Sequence, residues 1–174
     1  MTIPQKKANY SQAKKSAEEL LNKYNILSPA VPVITIAEGE GLTIRTISLA
    51  KFRTPGKPVC AAFLINESTI FIEDTDSHER QRFSIAHEIG HACLHPEELR
   101  SSPGLGIVYR APIGGETDPY EQEANCFAAN LLVPRKMLCY WYEKTQNQNQ
   151  LSEIFGVSPE VIGFRLINEK LALQ

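Results

Sequence analysis

The chain has 174 residues, of which 43% are hydrophobic and 22% charged, with a formal net charge of −2. That length suits one domain with a buried core, and the charge balance lacks the clustered Lys and Arg of a nucleic-acid footprint, so no direct nucleic-acid partner is expected. No apolar run approaches the roughly 18 residues of a membrane span, and Lys6, Lys7, Lys14 and Lys15 precede no signal-type apolar stretch, so a cytoplasmic protein with no membrane partner is expected.

In chain order, Tyr10, Ala13, Ala17, Leu20, Leu21 and Tyr24 recur at helical spacing and predict a helix over Asn9 to Asn25. A loop through Pro29 and Pro32 follows, then a short helix from Val33 to Glu38 closed by Gly39 and Gly41. Leu42 to Ser48, Val59 to Ile65 and Thr69 to Glu73 are rich in branched and aromatic residues, and Asn66-Glu67-Ser68 turns between the last two. These segments predict a small antiparallel three-stranded sheet. Cys60, Cys93, Cys126 and Cys139 show no paired metal spacing and read as reduced, packed thiols.

Three of the four histidines then fall within nine residues, as His87, His91 and His95. A helix from about Ser77 to His95, opened by an Asp76/Glu79 capping box, would bury a stripe of Phe83, Ala86, Ile89, Gly90, Cys93 and Leu94. At about 100° and 1.5 Å per residue, His87 and His91 lie roughly 40° apart and one turn removed, so both imidazoles can reach one metal ion. Glu88 lies roughly 60° from His91, placed to take a proton from water as the general base of a zinc peptidase. These three fall outside the stripe and are expected to line a cleft above the core. His95, about 12 Å of rise from His87, is too far to ligate with bonds of about 2 Å. It is expected to brace a ligand or close the helix, which Pro96 stops.

Catalytic zinc normally takes three protein ligands and a water. A second helix over Tyr120 to Val133 would bury Ala124, Phe127, Ala128, Leu131 and Leu132. Glu121 then lies roughly 50° from the centre of that stripe and Glu123 roughly 110° away on the other side. Glu121 is therefore the expected third ligand and Glu123 the solvated residue, since a carboxylate near the core needs a partner or a metal. Asn125, one turn after Glu121, is placed to orient a ligand. Leu94 and Glu97 stand where the extended metzincin motif requires glycine and histidine, which excludes that class.

Between the two helices, Pro96 to Pro119 holds four glycines and four prolines and is too long for a simple connector. It is expected to gate the cleft or to be disordered. Arg100, Tyr109 and Arg110 are its residues most able to touch substrate, Tyr109 as an oxyanion stabiliser. His78 is a further oxyanion candidate, expected to be exposed. The tail from Gln148 to Asn168 reads helix, Gly156, Ser158-Pro159, helix, superficially a helix-turn-helix. Its second helix has only Arg165 and Lys170 as bases, which favours a structural or docking role over DNA contact.

The stretches Arg82-Phe83-Ser84-Ile85-Ala86-His87-Glu88-Ile89-Gly90-His91 and Glu121-Gln122-Glu123-Ala124-Asn125-Cys126-Phe127-Ala128-Ala129-Asn130-Leu131-Leu132-Val133-Pro134 resemble the ImmA/IrrE family of metallo-endopeptidases. Pro32-Val33 to Ile36-Ala37-Glu38 with Gly41-Leu42, and Phe155-Gly156-Val157-Ser158 with Arg165-Leu166, extend the likeness over nearly the whole chain. Val133 stands where a methionine is common, and Asn125 where some related peptidases have aspartate; neither removes a ligand. The resemblance implies a zinc endopeptidase, with Mn²⁺ as another activating ion, that cleaves a helix-turn-helix repressor protein and derepresses stress, prophage or mobile-element genes. It implies His87, His91 and Glu121 as ligands and Glu88 as catalytic base. The expected architecture is a single α+β domain over 1–174. It comprises an N-terminal helix and sheet (1–75), zinc-site helices forming a helical metallopeptidase core (76–134) and a helix-turn-helix-like C-terminal segment (135–174). The other reading of these residues is a zinc-containing toxin or regulatory binding module that controls a partner without proteolysis.

Overall fold

The computed structural model describes residues 7–52, 59–64, 67–101, 105–109 and 118–171, and the side chains of all of these except 52, 59–60, 99–101 and 105–109. The fold is α+β. Helix α1 (Tyr10–Lys23) begins at Asn9, whose side chain accepts from Gln12 N, and buries Ala13, Ala17, Leu20 and Leu21. Helix α2 (Val33–Gly39) leads through Gly41, at φ +80°, into strand β1 (Thr43–Ile47). Only glycine enters that region without a steric penalty. Strands β2 (Val59–Leu64) and β3 (Thr69–Glu73) pair antiparallel, with Ser68 at φ 48° in the connection between them.

The sheet corrects the three-stranded antiparallel expectation. It is mixed and four-stranded, in the order β1-β3-β2-β4, with β1 parallel to β3. The fourth strand, β4 (Leu105–Tyr109), runs antiparallel to β2 and comes from the Gly- and Pro-rich segment read as a loop, as does the short helix α4 (Pro96–Ser101). Arg100, Tyr109 and Cys60 have side chains outside those described, and Arg110 and Asn66 lie outside the described residues. β3 is one of the two inner strands. Its Ile70 and Ile72 join the main core, while Phe71 packs with Leu49 and Ala62 in a small cluster on the other face. Glu73 ends β3 buried, accepting from Leu49 N at 3.1 Å and Thr75 Oγ1 at 2.8 Å. Burial pushes this carboxyl up, but the hydrogen bonds from Thr75 and Leu49 outweigh it and hold it at about 2.

Helix α3 (His78–Leu94) lies across β2 and β3, and helix α5 (Pro119–Leu132) packs along it. The N-cap of α3 is Ser77 rather than Asp76, so the expected capping box is displaced by one residue, and Asp76 instead pairs with Arg80 at 3.9 Å. The middle of α3 is buried all round, from Ser84 to His91, because sheet, α5, α1 and α2 cover it on every side. The single-stripe expectation fails there, and Cys93, assigned to the stripe, is exposed. Gly90 lies where α3 and α5 approach closely: a Cβ there would stand 3.0 Å from Phe127 Cδ1 and 3.3 Å from Ala124 Cα. Helix α6 (Arg135–Tyr142) follows Pro134, then α7 (Gln148–Phe155) and α8 (Pro159–Asn168), joined through Gly156 at φ 61°. Arg165 is buried, donating to Val133 O at 3.0 Å and to Glu169 at 2.7 Å. Its charge is spent inside the fold and is not offered to a polyanion.

Candidate metal centre

Two helices supply the site. His87 and His91 sit one turn apart on α3, and Glu121 stands in the first turn of α5, where Asp118 caps the helix by accepting from Tyr120 N at 2.9 Å. A helix N-terminus favours a carboxylate, so α5 offers Glu121 in its ionised form. The ligand atoms converge. His87 Nε2 and His91 Nε2 are 3.0 Å apart, and the Glu121 oxygens lie 3.2 Å from His87 Nε2 and 3.1 Å from His91 Nε2. A tetrahedral ion with bonds of about 2.0–2.1 Å requires ligand-to-ligand edges of about 3.3 Å, so the triangle is already near the size an ion needs. All three donor atoms fall within 4.8 Å of one another, a group that could hold a metal.

The electrostatics agree with the geometry. Burial pushes the Glu121 carboxyl up, but hydrogen bonds from His87 and His91 win and hold it well below the usual carboxylate range. Burial lowers His91, opposed by Glu121; at His87 burial also lowers, but the bond to Glu121 reverses the sign and the pKa is raised. His87 Nδ1 lies 3.0 Å from Asn125 Oδ1, a contact that requires a proton on Nδ1, so the neutral ring has its Nε2 lone pair available for an ion in place of the proton shared with Glu121. Glu88 is 1% exposed, and its Oε1 has no hydrogen-bond partner among the described residues. Burial lifts this carboxyl to about 7, with His87 pulling it down and Glu121 pushing it up. A buried carboxyl oxygen without a hydrogen-bond partner, next to two imidazoles and an ionised Glu121, fits a donor set suited to a cation.

Glu123 corrects a sequence expectation. It is 5% exposed rather than solvated, accepts from Asn9 N at 2.6 Å and lies 3.4 Å from His95 Nε2. Helix α5 is wedged between α1 and α3, so it buries two faces, and the 110° offset that read as solvent points into the α1 side. The need of a buried His95 for a partner was the available signal. His95 is the C-cap of α3, its N–H bonding His91 O at 2.9 Å, which is the helix-closing place expected of it. His78 is exposed at the start of α3, about 13 Å of rise from His87.

The fold and the donor set together define a class: a small α+β domain whose two central helices present a His-His-carboxylate group around a buried glutamate. The chain belongs to the Peptidase M78 family, whose IrrE N-terminal-like domain model matches residues 37–167, and this points to a metallopeptidase. A solved structure described as a Mycobacterium tuberculosis transcriptional regulator is similar over 90% of this chain, with a TM-score of 0.65 and 15% identity. The match covers 46% of that longer chain, so this chain spans less than half its length. No curated protein matches. No helix among the described residues is long and apolar enough to cross a membrane.

Proposed function

We propose that the protein is a zinc-dependent endopeptidase, with Mn²⁺ as an alternative activating ion, that cleaves a helix-turn-helix transcriptional repressor in the cytoplasm and so derepresses stress, prophage or mobile-element genes. The observation that carries this reading is the convergence of His87, His91 and Glu121 beside the unpartnered, buried Glu88. Family membership supports the peptidase class, and the similarity to a transcriptional regulator is in keeping with a partner in gene control.

His87, His91 and Glu121 would hold the ion, leaving one position for water or substrate. Zinc there would lower the pKa of a water toward about 7 and polarise the peptide carbonyl. Glu88 takes the proton of the attacking water and returns it to the departing amine, a double duty suited to a carboxyl poised near neutral pH. Asn125 holds the His87 ring in the tautomer that presents Nε2. Tyr109, the proposed oxyanion stabiliser, ends β4.

The test is incubation of the purified protein, with zinc or manganese, with any helix-turn-helix repressor found encoded next to its gene. A discrete cut that disappears in Glu88→Gln is expected. Repressor left intact under every metal condition, or full biological effect retained by Glu88→Gln, would reject proteolysis and favour control by binding alone.

A further inference from the structure

The two histidine ligands are oriented by different means. The His87 ring is fixed by a hydrogen bond to Asn125, whereas the His91 ring stands between two other imidazoles, edge-on to His87 at 4.7 Å and to His95 at 5.4 Å between centroids. His95 is itself held from three directions. Its backbone closes α3, its ring meets Tyr120 edge-on at 4.9 Å, and its Nε2 lies 3.3 Å from Tyr120 O and 3.4 Å from Glu123 Oε2. Both His95 and Glu123 are buried, at 3% and 5% exposure.

We infer that His95 and Glu123 are positioning residues: a buried imidazole–carboxylate couple that bolts the end of α3 to the first turns of α5, fixing the His91 ring and the span between His91 and Glu121. The couple sits where control of that span is needed. His91 is four residues before His95 on α3, and Glu121 is two residues before Glu123 on α5, so the bolt crosses the same helix pair as the ligands, one turn further out. The edges of the ligand triangle are 3.0–3.2 Å, and a shift of about 1 Å in one helix would break it. Glu123 also accepts from Asn9 N, and Tyr10 Oη donates to Gln122 Oε1 at 2.8 Å, so the start of α1 is tied to the same turn of α5. A buried carboxylate and imidazole are costly to hold away from water, which a device with no bearing on the site would not need.

This inference rests on the metal-centre reading above, and the experiment separates the two. Zinc affinity is measured by competition with a chromophoric chelator, and the visible spectrum is recorded after Co²⁺ substitution, for the parent, His95→Ala, the near-isosteric Glu123→Gln, and Leu138→Ala as a control buried in the core on α6, outside the two ligand helices. Parent protein that binds no zinc would defeat the metal-centre reading itself. With zinc bound by the parent, the expected result is a loss of affinity of about 10- to 100-fold in His95→Ala and Glu123→Gln, together with a shifted cobalt band. Leu138→Ala loses thermal stability but keeps both metal readouts. Affinities within threefold of the parent and an unchanged cobalt spectrum in Glu123→Gln would overturn the inference, and that variant decides alone should His95→Ala not fold.

Discussion

Glu88 combines near-complete burial with an oxygen that has no hydrogen-bond partner among the described residues, so in the metal-free protein it is a source of instability. Removing its charge should relieve that cost. Glu88→Gln is expected to stabilise the chelator-treated protein by on the order of 1–2 kcal/mol and so raise its melting midpoint, while abolishing cleavage; a lower midpoint by circular dichroism would mean the carboxylate is satisfied. Asn125→Ala should weaken zinc about tenfold or more by freeing the His87 ring. An unchanged affinity in the chelator competition would show that the 3.0 Å contact does not orient the ligand. Much of this cluster is legible in the sequence, because helical periodicity alone places His87, Glu88 and His91 within reach of one another. Glu123 was not legible in the same way. An angular offset from one apolar stripe cannot reveal that a helix has neighbours on two sides, and its partner Asn9 lies 114 residues away.

The α3–α5 contact leaves little room for substitution at Gly90. Alanine in a helix interior ordinarily stabilises relative to glycine, but here the new Cβ would press on Phe127 and on the Ala124 backbone, which cannot swing aside. Gly90→Ala is expected to destabilise by about 1–3 kcal/mol and to weaken zinc by displacing α5; a gain in stability by denaturant titration would contradict the packing. At the end of β3, Glu73 ties the turn at Leu49 to the sheet. Its carboxyl is depressed to about 2, so its contribution is present above the ordinary value of about 4.3 and is lost as pH falls toward 2. Glu73→Gln should therefore cost about 1.5–3 kcal/mol at pH 7, with the gap to the parent closing between about pH 4.5 and pH 2. A gap constant over that range would rule out the charged bonds. Helices α1, α2, α3, α5, α7 and α8 and three of the strands followed from periodicity and turn residues, but α4, the parallel pairing of β1 with β3 and the recruitment of β4 did not. Pairing partners are chosen by the tertiary fold, and a Gly- and Pro-rich segment carries little intrinsic strand signal. Helix α6 is not among the expected elements: Pro134, just beyond the C-cap of α5, opens it as its N-cap.

Over the whole molecule, the proposed ion would join two helices that are separated by the α4–β4 segment in sequence, so its binding should register as global stability. Zinc at a hundredfold excess over its dissociation constant is expected to add about 2.7 kcal/mol, and a calorimetric midpoint indifferent to chelator would mean the site is not formed by these groups. The packing of α1 on α5 carries a different consequence. During synthesis the apolar face of Ala13, Ala17, Leu20 and Leu21 emerges from the ribosome some hundred residues before the helix that covers it. At roughly 5–20 residues per second, a nascent chain carries that surface uncovered for about 5–20 seconds, long enough to be a ready substrate for a chaperone waiting at the tunnel exit.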